Sequence, residues 1–342
     1  MPGDLGYINA RLKGMHSRML QPKDWAELIK AGSLEQLFSL LLTTDYQSAI
    51  EETRAQGSNL STLDRALSLH WQGILNKLAS FIQGKPALAL QIELWRLDLL
   101  NLLRIAGQLR SGKTGDQEAP LYGALSAKQI EELEKASNWR EIAKMLALWK
   151  HPLAEAVASL KDEESPFLIE TALQKGFFKM VQGRLAHSLS PICRVLARIF
   201  RDQVDQQNLR AATILRELPR DISPSSAFIP GGRLLTLKDF LLLADPDALE
   251  RSRRRLQRYP SLRYALTCKN PAELERMMEQ RSLAESARVY RQDPLGIGVL
   301  LAFLLQEEAE IANLRLIGRS IEYGLDPEVV KENLLVPGLA AH

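Results

Sequence analysis

The sequence predicts an all-α protein of three similar helical repeats, and three observations lead there. Glycine is sparse, leucine and alanine are abundant, and β-branched runs are short. Helix starts are well signalled along the chain by Ser, Asp or Asn before proline. An acid-x-x-Asn-Leu helix also appears three times, as WRLDLLNLLRI (95–105), DQVDQQNLRAA (202–212) and EEAEIANLRLI (307–317). Its residues Asn101, Asn208 and Asn313 stand 107 and then 105 positions apart in a chain of 342. A second landmark shares the period: DYQSAI, HPLAEAV and PSLRYAL end at Ile50, Val157 and Leu266, 107 and 109 apart. A period of about 106 is too long for a solenoid unit, so each repeat is expected to be a small multi-helix domain. The predicted bounds are 1–115, 116–225 and 226–342.

Taken in order, the N-terminal MPGDLGYINARLKGM has no apolar core of a secretory signal. Ser33 with Gln36, and Ser126 with Gln129, have capping-box spacing. Residues 86–110 read as one helix about 37 Å long, apolar nearly all round and therefore internal. Polar, glycine-bearing SGKTGDQEAP (111–120) reads as the first linker, and LPRDISPSSAFIPGG (218–232) as the second. The pairs Ser165-Pro166, Asp245-Pro246, Asn270-Pro271, Asp293-Pro294 and Asp326-Pro327 each place a capping side chain before a proline, which loses no hydrogen bond at the first helical position. The apolar run LGIGVLLAFLL (295–305) is only eleven residues, where a membrane span needs about 20, so it reads as a buried helix.

Composition bounds the function classes. With 44 basic and 41 acidic residues the net charge is +3, which does not resemble the basic stripe of a nucleic-acid binder. Two cysteines far apart, Cys193 and Cys268, exclude a disulfide scaffold and suit a reducing compartment. The five histidines have no HExxH or paired spacing and neither cysteine has a CxxC partner, so no metal or other cofactor is expected.

GQLRSGKT (107–114) satisfies the P-loop pattern through Gly107, Gly112, Lys113 and Thr114. The phosphate site needs a strand entering the loop and a helix starting at the lysine, so that free amides face the phosphates. Here a leucine-rich helix enters and TGDQEAP follows. FLLLAD (240–245) could pose as the strand carrying a magnesium-binding Asp245, but its leucines favour helix. Gly296 and Gly298 begin a GxGxxG pattern that Leu301 breaks.

Two constellations carry no chemistry but invite an interaction reading. Arg251, Arg254, Arg255 and Arg258 share one helical face in ERSRRRLQR (250–258); the run reads first as a solvated face and alternatively as a docking face for an acidic partner or lipid headgroups. In the repeated pairs Asp98/Asn101, Asp205/Asn208 and Glu310/Asn313, an acid and an amide are neighbours on a helix. Unpaired burial costs about 1–3 kcal/mol per group, so a shared hydrogen-bonding role is expected, stitching each helix to a segment of its own repeat or, alternatively, facing a common axis or partner. A following arginine in each copy (Arg104, Arg210, Arg315) could satisfy the acid.

The chain resembles the C subunit of bacterial and archaeal V-type rotary ATPases, the d subunit of the eukaryotic enzymes. The resemblance rests on GYINARLKG (6–14), WRLDLLNLLRI, HPLAEAV, FIPGGRL (228–234) and QDPLGIGVLLAFLLQEEAEIANLRLIGRSIEYGL (292–325), in order over the whole chain. It implies a funnel-shaped, all-helical protein of three domains around a pseudo-threefold axis, peripheral on the cytoplasmic face of the membrane. It also implies a central-stalk role, with the shaft subunits and the membrane rotor ring as partners, transmitting torque for proton or sodium transport. The family offers no catalytic residue to carry over. The second repeat departs from the first in having Gln206-Gln207 where the first has Leu99-Leu100. A helical scaffold for other proteins and a P-loop NTPase using Lys113 are the competing readings.

Overall fold

The computed structural model describes residues 4–111, 122–162, 164–186, 188–218, 222–268 and 270–335. Every regular element among them is helical, as the composition and capping signals predict. The chain divides into two compact units, one of residues 1–93, 115–122 and 280–342, the other of residues 94–114 and 123–279.

In the first unit, helix Gly298–Tyr323 packs against Leu60–Phe81, Leu5–His16, Leu34–Leu41 and Pro327–Asn333. It carries the 298–305 part of the run read as a buried helix, while Leu295 lies before it and is exposed; Val299, Leu300, Phe303, Ile311, Leu314 and Ile317 along it are wholly buried. Each such side chain contributes about 1.5–3 kcal/mol by leaving water. Gly318 makes the close approach possible, because a Cβ there would lie 2.4 Å from Leu63 Cδ2. The helix ends at Gly324, whose φ of +64° suits a residue without a Cβ. No helix among the described residues is long and apolar enough to cross a membrane.

In the second unit, Pro166–Ala186 and Pro191–Leu215 pack together, and Pro191–Leu215 packs in turn on Leu237–Ala244. Leu209, Ala212, Leu235, Phe240, Leu243 and Leu262 form the centre of one apolar cluster. FLLLAD is helical, started by a reciprocal Thr236–Asp239 capping box, so it offers no strand for a nucleotide site.

Most of the proline-marked starts hold: Ser165, Asn270 and Asp326 accept from the backbone amides of Leu168, Glu273 and Glu328. Asp293-Pro294 differs. It opens a turn, and the helix begins only at Gly298. The Asp293 carboxylate lies where a Cβ on Gly296 would be, 1.8 Å away, so it folds over this turn rather than capping a helix. The second linker also differs from a free loop. It contains helix Pro224–Ala227, and Ala227 and Ile229 are buried.

Candidate functional site: recurrent buried acids

The three signature pairs lie within the long helices Pro86–Ser111, Pro191–Leu215 and Gly298–Tyr323. An i, i+3 spacing puts acid and amide on one face, and all six side chains are buried, from 0% exposed at Asp98 to 5% at Glu310. A charge so placed needs several hydrogen bonds to remain in the fold.

Backbone amides supply them. Asp98 accepts from the amides of Ala124 at 3.0 Å and Leu125 at 3.1 Å. Asp205 accepts from those of Arg233, Leu234 and Leu235 at 2.7–2.9 Å. Glu310 accepts from that of Leu20 at 2.9 Å. Leu20, Leu125 and Leu235 each stand just before a helix N-cap, at Gln21, Ser126 and Thr236, and in all three the cap's amide donates to the side chain three places on. The segments are LQPKD (20–24), LSAKQ (125–129) and LTLKD (235–239). This third recurrence is legible in the sequence as Leu-cap-x-Lys-acid/amide and escapes a search for catalytic motifs.

The acids reach far along the chain, 26 and 27 residues from Asp98 to its amides and 290 from Glu310 to Leu20. Further donors differ: His151 Nε2 lies 3.1 Å from Asp98, and the Tyr46 hydroxyl donates to Glu310 at 3.1 Å. The carboxamides of Asn208 and Asn313 each clamp a single residue's backbone in both directions. Asn208 donates to the carbonyl of Ile229 and accepts from its amide, both at 2.8 Å. Asn313 does the same with Leu335, at 3.0 and 2.7 Å.

Glycine admits the acids to the turns. A Cβ on Gly232 would lie 2.3 Å from Asp205 Oδ1, and one on Gly123 2.5 Å from Asp98 Oδ1 and 2.2 Å from the carbonyl oxygen of Leu94. Gly232→Ala is therefore expected to lower stability by about 1–3 kcal/mol, the usual cost of overpacking, read as a lower urea midpoint. An unchanged midpoint would mean that the carboxylate can shift freely.

The arginines after the signatures pair elsewhere: Arg104 with Glu134, Arg210 with Glu170 and Glu275, and Arg315 with Asp64 at 3.0 Å. Once amides occupy the carboxylates, each arginine is free to pin its helix to another acid. Gln206 and Gln207 are half-buried.

The third copy is electrostatically distinct. Glu307, one turn before Glu310, is also buried, and its Oε2 has no hydrogen-bond partner among the described residues. Burial first, then the charge of Asp45, pushes Glu307 up to about 8; burial first, then the charge of Glu307, pushes Glu310 up to about 8. Tyr46 stacks on His70 with ring centroids 3.9 Å apart, and His70 Nε2 lies 3.9 Å from Glu307. Burial lowers the His70 pKa, so its ring favours the neutral form.

Within the arginine run, Arg255 is bound to the buried Asp239 and lies over the Tyr259 ring, whereas Arg251, Arg254 and Arg258 are exposed. Gly107 of the P-loop-like stretch is inside a helix; Gly112, Lys113 and Thr114 lie outside the described residues, as do His187 and His342. No cluster of three or more metal-ligating side chains occurs among the described residues.

These features define an all-helical protein, among the described residues, in which recurrent acids and amides bind backbone turns. The chain matches the family model "ATP synthase (C/AC39) subunit" over residues 8–333 and belongs to that family. It is 27% identical to the C subunit of the V-type ATP synthase of Deinococcus radiodurans over 341 residues, covering 98% of this chain and 92% of the relative. It is also 27% identical to that of Thermus thermophilus over 338 residues, 98% of this chain and 100% of the relative. The C subunit of the A-type ATP synthase of Haloferax volcanii is 22% identical over 341 residues, 96% and 97% of the two chains.

Proposed function

We propose that this chain is a non-catalytic central-stalk subunit of a V-type rotary ATPase or ATP synthase, coupling the shaft to the membrane rotor ring. The observation that carries this reading is similarity over nearly the whole of both chains to proteins named as the C subunit. Torque transmission needs stiffness, and close-packed helices deform little. The buried acid-to-turn bonds support that role, because each pins the start of one helical segment to the middle of a long helix. In this reading the repeats 1–115, 116–225 and 226–342 form three domains around a pseudo-threefold axis, peripheral on the cytoplasmic face. Arg251, Arg254 and Arg258 are one candidate contact face. The chain itself uses no nucleotide; the shaft and ring exchange work through it as protons or sodium ions move.

Co-purification tests the reading. The tagged chain is expected to retain both the shaft subunits and the detergent-solubilised ring. Retention of neither would overturn the coupling role and leave a scaffold for other proteins.

A further inference from the structure

A cavity of about 490 Å³ lies in the second unit beside the start of helix Pro191–Leu215. Val181, Leu185 and Phe200 line it from within the core, all buried, and Arg194, Arg198, Arg201 and Arg233 also line it. None of its described lining residues is acidic. Arg233 is paired with Asp202 at 2.6 Å. Arg194, Arg198 and Arg201 are exposed and have no acidic partner among the described residues. Their i, i+4, i+7 spacing puts them on one helical face. Close by in sequence, Leu189 is 95% exposed and Val195 43%.

We infer that this pocket, with Arg194, Arg198 and Arg201 along its edge, docks an acidic polypeptide segment of another subunit. Guanidinium groups bind carboxylates in a two-pronged geometry and are weakly hydrated, which suits them to such contacts. The three arginines extend over about 10.5 Å of helix at 1.5 Å per residue. One phosphate cannot reach all three, whereas successive carboxylates along a chain can. A volume of this size fits a few side chains rather than a whole domain. The identity of the partner as a subunit rests on the coupling reading; the chemistry of the pocket does not.

The test uses the full chain and a fluorescein-labelled twelve-residue peptide of alternating glutamate and leucine. Binding is expected to weaken as salt screens the charges, and the triple variant R194E/R198E/R201E to lose at least about tenfold in affinity, the equivalent of one charged contact. The neutral triple variant R194Q/R198Q/R201Q is expected to melt with the wild type and still bind poorly, which separates lost docking from lost folding. Equal binding by wild type and variants overturns the proposal. So does an equal loss in R251E/R254E/R258E, which would mean general charge attraction. Binding to vesicles containing phosphatidylglycerol but not to the peptide also overturns it, in favour of a lipid surface. A wild-type chain that binds the peptide but co-purifies with neither shaft nor ring overturns the coupling reading and upholds the pocket. One that co-purifies while the peptide fails overturns the pocket alone.

Discussion

Asp205→Ala is expected to cost about 3–5 kcal/mol of stability in the second unit, the largest effect of any single substitution considered. The carboxylate accepts from three consecutive amides, those of Arg233, Leu234 and Leu235. Removing it leaves donors without a partner, at about 1–3 kcal/mol for each that stays buried. Leu235 is 4% exposed, so water cannot replace its bond without opening the turn. The neighbouring clamp of Asn208 on Ile229 then holds the segment by one end. Asp205→Asn is expected to cost less, since its remaining oxygen still accepts while its NH2 faces a donor. Urea denaturation checks the magnitude, and hydrogen exchange at residues 233–235 checks the location. A loss below about 1 kcal/mol would mean that the acid is not what holds the turn.

The second large effect is a pH dependence in the first unit. Glu307 and Glu310 are raised above their ordinary 4.5 to about 8, each by burial first. Such a group binds its proton more tightly folded than unfolded, so stability is fully present below the unfolded value. It falls as pH rises from about 4.5 to about 8 and then levels off. One such shift is worth about 5 kcal/mol, and the loss is of that order because the two groups titrate as a pair. Tyr46 and the Leu20 amide face Glu310, while Asp45, His70 and Lys77 contribute the surrounding charges or dipoles. The Tyr290 and His16 rings lie alongside, tilted with centroids 4.4 Å apart; burial first and then Glu307 raise the tyrosine, and burial lowers the histidine. The E307Q/E310Q variant is expected to lose this slope and to be more stable than the wild type at pH 9. Equal slopes in the two proteins, measured by chemical denaturation across pH 5–9, would defeat the assignment.

Much of the fold was legible because its signals are local. Ser33, Ser126, Asn270 and Asp326 mark helix starts through bonds spanning two or three residues, and a leucine-rich run such as 298–305 has few ways to bury itself except as a helix. The recurrence of acid-x-x-Asn-Leu likewise told which polar residues share a task. Asp293 misled because the same side chain can cap a helix or fold over a turn, and Gly296 tips that choice. The arginines misled because proximity along a helix does not say which acid is already occupied. Lys-bearing LQPKD, LSAKQ and LTLKD were visible but had no evident meaning until the amides of Leu20, Leu125 and Leu235 were seen against the three acids.

By itself the sequence determined an all-helical chain, its threefold recurrence and the family to which it belongs, since these depend on residue type, spacing and whole-chain order. Only the tertiary structure decided which backbone each buried acid serves, and that Glu310 reaches back 290 residues to Leu20. The reason is physical. A carboxylate states that it needs donors, but any amide supplies the same bond, and choosing among amides distant along the chain requires the packing that brings one of them within 3 Å.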